Sequence, residues 1–337
     1  MDIKRRFELV KRNTAEILTE PELKNLLSKK KKPSAYIGVT PTGPFHIGYL
    51  ISFTKLLDFS KASIENTILI ADIHAALDDL KCKWSELDIK SEYYRKCIEL
   101  GFPWIKKPKF VRGSDFQLEK AYVSDALKIA TLATVKRATR AASEVTRMKN
   151  PKVSELIYPI MQGLDEEYLK ADIQLGGIDQ RHILGFAREY LPKIGHKARI
   201  EIMTPLVQSL RGPGVKMSAS FPESVIKIYE SEETLKKKIN NAYCPLGVIK
   251  ENPILQLYQH FIFPIKNKVK IQREKKFGGD VILNNFEEMK KLYENKQLHP
   301  QDLKLNLTED LIKIFSKVRK YFQKNQDLLK KLGSTFQ

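Results

Sequence analysis

The sequence predicts an α/β protein: a Rossmann-type, doubly wound parallel sheet forming a catalytic domain, then a smaller, mostly helical C-terminal domain. Three features predict it. Short apolar runs with strand character alternate with helical periodicity through the first part of the chain. The first strand–helix–strand cycle fits within about 35 residues, the span of a βαβ unit. Beyond residue 231 the character changes to Lys-rich, helical segments. A length of 337 residues, at about 150 per domain, also favours two domains.

Taken in order, residues 1 to about 27 read as an amphipathic helix, with Phe7, Leu9, Val10, Ile17 and Leu18 at roughly helical spacing. Residues 29–32, all lysine and closed by Pro33, form a helix-ending linker that reads as a solvated turn more readily than as a phosphate contact. Residues 35–39 read as a buried strand, 40–44 as a turn, 47–59 as a helix and 67–71 as the next strand. Such a unit has parallel strands and a right-handed crossover. Ser85 with Asp88 reads as a capping box opening a helix toward Leu100. A strand at 109–111, helices through about Arg147, a helix at 154–169 and a strand at 171–175 follow. Gly176-Gly177 then turns into a helix reaching about Tyr190. In the C-terminal part, 235–243, 255–263, 287–293 and 308–332 read as helices. The domains are expected at 1–230, with an N-terminal helical segment and a helical insertion at about 117–150, and at 231–337.

Lys and Arg number 59 against 40 Asp and Glu, a formal net charge of +19. Folding does not need that excess; it suggests a polyanionic partner, nucleic acid first and an acidic membrane surface second. A composition 42% hydrophobic and 29% charged excludes a disordered chain. Three cysteines, Cys82, Cys97 and Cys244, form no CxxC pair, which argues against a disulfide framework and a Cys-based zinc site. No structural metal is expected. The N-terminus has no apolar core region, and no run approaches about 18 apolar residues. The expectation is a soluble cytoplasmic protein without a membrane partner.

Neither a P-loop nor a dinucleotide-binding glycine fingerprint is present. Pro41-Thr42-Gly43-Pro44-Phe45-His46-Ile47-Gly48-Tyr49 instead follows the first strand, where Rossmann-type domains bind nucleotides. A helix N-terminus there offers free N–H groups to phosphate, His46 could donate to a phosphate oxygen, and Gly48 leaves room for an adenine ring. Alone, such a histidine is more often a cap or surface residue. Further on, the Gly/Pro-rich stretch from Arg211 to Ser220 carries Lys216, Ser218, Ala219 and Ser220. A mobile loop bringing a cation to developing phosphate charge needs such glycines and such a lysine. Tyr158, Gln162 and Asp165 are spaced i, i+4, i+7 and share one helix face, which suits a pocket with a few placed hydrogen bonds.

These segments resemble known signatures. His46-Ile47-Gly48-Tyr49 and Lys216-Met217-Ser218-Ala219-Ser220 resemble the HIGH and KMSKS motifs of class I aminoacyl-tRNA synthetases. The stretches 157–165 and 176–181 resemble the tyrosine-pocket segments of tyrosyl-tRNA synthetases of the archaeal and eukaryotic type. The resemblance covers about residues 7–322, with four motifs in order. Tyr49 departs from the signature histidine, and Ala219 stands where KMSKS has its second lysine.

The resemblance implies ATP, with Mg²⁺, as substrate, and L-tyrosine and tRNA(Tyr) as partners of a homodimer. It implies catalysis by His46 and Lys216. Tyr158, Gln162 and Gln180 would hold the backbone end of tyrosine, Tyr36 and Asp165 its hydroxyl, and His74 would line the pocket; an ordinary core histidine fits His74 equally well. ATP would meet His46, Gly48, Tyr49, Asp179, Lys216, Ser218, Ala219 and Ser220. Phe277, His299 and Asp302 would read unpaired anticodon bases, although His299-Pro300 also suits a plain helix start. Arg140, in the basic run 136–140, would meet the acceptor stem or simply face solvent. The alternatives are a tryptophan–tRNA ligase of the same superfamily and a non-catalytic tRNA-binding paralogue; an indole offers no hydroxyl to Asp165, which weighs against the first.

Overall fold

Apolar runs rich in Ile and Val become the six strands of one sheet: β1 Glu16–Leu18, β2 Ser34–Val39, β3 Glu65–Ile70, β4 Lys109–Arg112, β5 Ile173–Gly177 and β6 Ile200–Thr204. The computed structural model describes residues 1–145, 150–214 and 221–336. The strand order is β1-β6-β5-β2-β3-β4. β2 to β6 are mutually parallel, and β1 runs antiparallel on the edge of β6. The chain leaves β2 for β3 on one side, and β5 joins β2 on the other. The crevice at the carboxyl ends of β2 and β5 is therefore the topological switch point, where open α/β sheets bind ligands.

Contacts divide the chain into two units: Met1–Gly43, Asp58–Arg95 and Ile105–Pro205 form the first, and Pro44–Leu57, Lys96–Trp104 and Leu206–Gln337 form the second. The whole sheet lies in the first. A single cut near residue 230 therefore does not describe the packing. Aromatic burial is the reason: Phe45 stacks on Phe53, Phe53 meets Trp104 edge-on, and Phe102 packs with Phe261, which packs with Phe315. These rings commit two short early segments to the core of the second unit.

Several local expectations change. The N-terminal segment is two helices, Ile3–Lys11 and Glu20–Lys29, with β1 between them. Asn13 and Thr19 take positive φ, which breaks the helix, and Ile17 pairs with Ile202 of β6. The Ser85/Asp88 box does not form, because the helix Leu87–Gly101 starts after Ser85, and Asp88 pairs with Arg112 instead. β6 and the hairpin of β7 Val269–Ile271 and β8 Val281–Leu283 are additional to the expected strands. The expected helix over 308–332 is three: Pro300–Ile314, Ser316–Lys324 and Gln326–Leu332. Asn325 leaves helical geometry, and its side-chain amide donates to the carbonyl of Tyr321.

In the first unit the helix Val153–Tyr168 forms one wall of the core. Ile160, Met161 and Leu164 cluster with Tyr122, Ile183 and Phe186. Gly163 permits that approach, since a Cβ there would stand 3.2 Å from the Ala187 methyl. The three cysteines are buried, and none is in a disulfide. Among the described residues no helix is long and apolar enough to cross a membrane.

Candidate active site

A small cavity opens at the switch point. β2 and the residues after it contribute Tyr36, Gly38 and Thr40; β3 and its exit contribute Leu69 and Ala71; β5 contributes Gln174. His74, Gln180 and the helix residues Tyr158, Gln162 and Asp165 complete the lining. All six residues assigned to tyrosine from the sequence thus meet around one cavity.

Their partners define the chemistry. The Tyr36 hydroxyl donates to the Gln162 carbonyl at 3.2 Å. Tyr158 Oη lies 3.3 Å from Thr40 Oγ1, and its ring packs edge-on against His74. Gln162 Nε2 donates to Gln180 Oε1 at 3.3 Å. Gly176 makes room for that amide, because a Cβ there would stand 2.6 Å from Gln180 Oε1. Asp165 Oδ1 accepts from Gln117 Nε2 at 2.7 Å and from the Tyr122 hydroxyl at 2.8 Å. Its Oδ2 lies 3.9 Å from His74 Nε2.

Burial sets the charges. It lifts the Asp165 carboxyl to about 7 and lowers the His74 imidazole to about 4, so His74 is neutral near pH 7. Among the described residues, His74 Nε2 and Gln174 Oε1 are buried without a hydrogen-bond partner. Unpaired polar atoms are costly in a protein interior unless something pairs with them. The cavity is built to receive a polar ligand.

Gln117, Tyr122 and Gln174 escaped the sequence reading. Gln117 sits in a loop and Tyr122 in an apolar helix stripe, so neither carried a local signal. Gln174 did: it is a lone amide inside the apolar run Ile173-Gln174-Leu175. Asp72 also escaped notice. Fully buried, it accepts from Ser114 and Arg112 and so pins the segments carrying His74 and Gln117.

The second unit carries the His46 turn. The Ile47 N–H donates to the Ile226 carbonyl, and His46 bridges to Lys227. The Gly48 N–H donates to His46 Nδ1 at 3.2 Å, which leaves the ring proton on Nε2. Burial lowers His46 to about 4, so it offers a neutral N–H donor rather than a cation. Tyr49 packs between the rings of Phe45 and His46, with centroids at 5.0 and 4.5 Å. Asp179, half-buried, follows β5 in the first unit. Lys216, Ser218, Ala219 and Ser220 lie outside the described residues. Phe277 is exposed beside the hairpin, and His299 caps the helix Pro300–Ile314 by accepting the Gln301 N–H at 3.2 Å. Asp302 lies in the first turn of that helix. Arg140 is exposed on the helix Val135–Ala142 of the first unit. Among the described residues no group of three His, Cys, Asp or Glu side chains could hold a metal ion.

A parallel sheet with a polar pocket at its switch point, in a chain carrying the His-Ile-Gly-Tyr turn, defines a class I tRNA synthetase; the family model described as "tRNA synthetases class I (W and Y)" matches residues 28–316. The chain is 41% identical to the tyrosine–tRNA ligase of Archaeoglobus fulgidus, over 95% of this chain and 98% of that one. It is 39% identical to the cytoplasmic tyrosine–tRNA ligase of Danio rerio, over 98% of this chain but 62% of the longer relative. The solved tyrosyl-tRNA synthetase of Archaeoglobus fulgidus complexed with L-tyrosine matches with a TM-score of 0.90 at 40% identity, over 95% of this chain and 99% of that one. The chain belongs to the tyrosine–tRNA ligase family.

Proposed function

We propose that the protein activates L-tyrosine with ATP and transfers it to the 3′ end of tRNA(Tyr). The observation that carries this is the Asp165 carboxyl, buried in the cavity and held by Gln117 and Tyr122 through one oxygen. Its Oδ2 accepts the substrate phenol, and Tyr36 turns its hydroxyl hydrogen from the Gln162 carbonyl to the phenolic oxygen. Tyr158, Gln162 and Gln180 hold the α-amino and carboxylate end. Phenylalanine would leave Asp165 unpaired in a desolvated site, and tryptophan offers no hydroxyl at that depth.

The tyrosine carboxylate attacks the α-phosphorus of ATP, and pyrophosphate leaves. The tRNA terminal ribose hydroxyl then attacks the adenylate carbonyl, and AMP leaves. No protein nucleophile is needed, so catalysis is positioning and charge stabilisation. His46, being neutral, donates a hydrogen bond to phosphate. The positive charge comes from Lys216 and from the magnesium that enters with ATP. Gly48, Tyr49, Ser218, Ala219 and Ser220 complete the assigned phosphate and adenine contacts, and Asp179 takes the ribose.

We assign Phe277, His299 and Asp302 to unpaired anticodon bases and Arg140 to the acceptor stem; exposure of Phe277, His299 and Arg140 and the net charge of +19 support this. Exposed apolar side chains at Leu118, Val123, Leu127, Leu132 and Val135 support a homodimer joined through that face. A cytoplasmic location accords with the name of the zebrafish relative. ATP–pyrophosphate exchange run with tyrosine, tryptophan and phenylalanine tests the activity. Exchange with tyrosine alone is expected; exchange with tryptophan, or with none, overturns the reading.

A further inference from the structure

Behind the pocket, a polar row crosses the sheet. Tyr36 of β2 is in register with Gln174 of β5, and Gln174 with Glu201 of β6, so the three side chains leave the same face. Tyr36 and Gln174 line the cavity, and Glu201 continues the row past it. Glu166, next in sequence to Asp165, is carried by the helix Val153–Tyr168, and its carboxyl group lies within electrostatic reach of that of Glu201. Both residues are 0% exposed. Their four oxygens find no N–H or O–H donor among the described residues. The nearby guanidiniums are engaged elsewhere: Arg199 donates to Glu167 at 2.6 Å and Arg188 to Glu22 at 3.0 Å. Two carboxylates buried together with no donor cannot both keep their charge, since a doubly charged buried pair is strongly disfavoured.

We propose that Glu166 and Glu201 share one proton at neutral pH, and that this proton positions Asp165 for the tyrosine hydroxyl, so that losing it raises the KM for tyrosine. The proposal rests on the tyrosine-activating function proposed above. Burial pushes both carboxyl groups well above the ordinary range, helped at Glu201 by the charge of Glu166 and at Glu166 by that of Asp165. The charged and titratable groups facing the pair are Asp165 on the same helix, Tyr36 on β2, and Arg188 and Arg199, whose positive charge opposes the shift. With the proton in place, helix and β6 are tied one residue from Asp165. Without it, two like charges push the helix from the strand and carry Asp165 and Gln162 with it.

The test compares wild type, Glu201→Gln, Glu166→Gln and Glu201→Ala. Tyrosine KM, ATP KM and kcat for pyrophosphate exchange are measured from about pH 6 to pH 9.5, with an infrared spectrum of each substrate-free protein. The wild type should show the carbonyl stretch of a protonated buried carboxyl group and a tyrosine KM that rises about tenfold at the alkaline end. Either Gln variant keeps an N–H donor in the gap, so it should rescue the neutral-pH KM and flatten the alkaline rise, and the infrared band should fall to what Asp165, itself near 7, contributes. Titration of the substrate's own amino group is common to all four proteins and cancels in the comparison. Glu201→Ala should raise tyrosine KM about tenfold at every pH, with kcat and ATP KM nearly unchanged. Coincident pH profiles of wild type and Glu201→Gln, an absent band, or equal losses in tyrosine and ATP KM overturn the proposal. A wild type that activates no tyrosine overturns the function and the positioning role together; the band, recorded without substrate, tells that failure from the failure of the shared proton.

Discussion

In the pocket of the first unit, Asp165, Tyr36 and His74 are buried and held by neighbours, whereas Phe277 and His299 of the second unit stand exposed, with His299 capping its own helix. The two regions are assigned to different ligands, an amino acid and an unpaired base. The pocket has its groups desolvated and aimed before the ligand arrives, so a mismatched ligand leaves a buried atom unpaired. The exposed surface keeps its groups hydrated until contact, so each one contributes less and a lost contact is partly replaced by water. Selectivity should therefore be steep in the first region and shallow in the second.

Asp165→Ala strikes the steep side. It removes the phenol acceptor and strands Gln117 and Tyr122. Tyrosine kcat/KM should fall about a hundredfold or more, while phenylalanine changes little. The check is kcat/KM for both amino acids in both proteins. An unchanged preference for tyrosine would remove Asp165 from hydroxyl recognition and erase the contrast between the regions.

Asp165→Asn isolates the cost of burying that charge. The carboxyl has its folded-state value lifted from 3.8 to about 7, so the folded protein holds the proton more tightly than the unfolded chain. Its stabilising contribution is full below about pH 4 and is lost as the pH rises through about 7. In substrate-free protein the Asn variant should therefore gain stability relative to wild type as pH rises, by about 4 kcal/mol at most across that window. Melting temperatures of the two proteins at a series of pH values measure it. A constant difference would mean that Asp165 is solvated.

On the shallow side, His299→Ala and Asp302→Ala should each lower aminoacylation about five- to tenfold and leave pyrophosphate exchange intact. His299→Ala should also cost about 1 kcal/mol of stability, since its ring caps a helix. Equal losses in both reactions would make these residues structural and leave the second region without a recognition role. Tyr49→His should have the smallest effect. The ring already packs between Phe45 and His46, so the swap should lower the melting temperature by a few degrees at most and change the ATP KM less than about threefold. A large change in ATP KM would show that the ring meets the nucleotide directly.

Much of the site was legible in the chain because it is carried by local spacing. Tyr158, Gln162 and Asp165 recur at helical intervals, and any helix over them puts all three on one face. The His46 turn follows a strand and opens a helix, which local propensity also dictates. The α/β alternation itself is a matter of periodicity, and β2, β3, β4 and β5 each fall within a few residues of where it puts them.

What lay beyond the chain's local pattern depends on distant partners. Ile17 carries helical spacing with its neighbours, yet it becomes a strand because Ile202 offers an edge to pair with. Phe45 and Phe102 belong to the second unit because aromatic rings bury more surface together than apart, wherever they fall in sequence. Gln117 and Tyr122 become the holders of Asp165 only because the fold brings a loop and a helix more than 40 residues upstream to one oxygen. Glu166 and Glu201 are ordinary polar residues in sequence, and only their joint burial turns them into an acid pair. Periodicity is a property of neighbours, whereas desolvation and pairing are properties of whatever the tertiary fold sets alongside a residue.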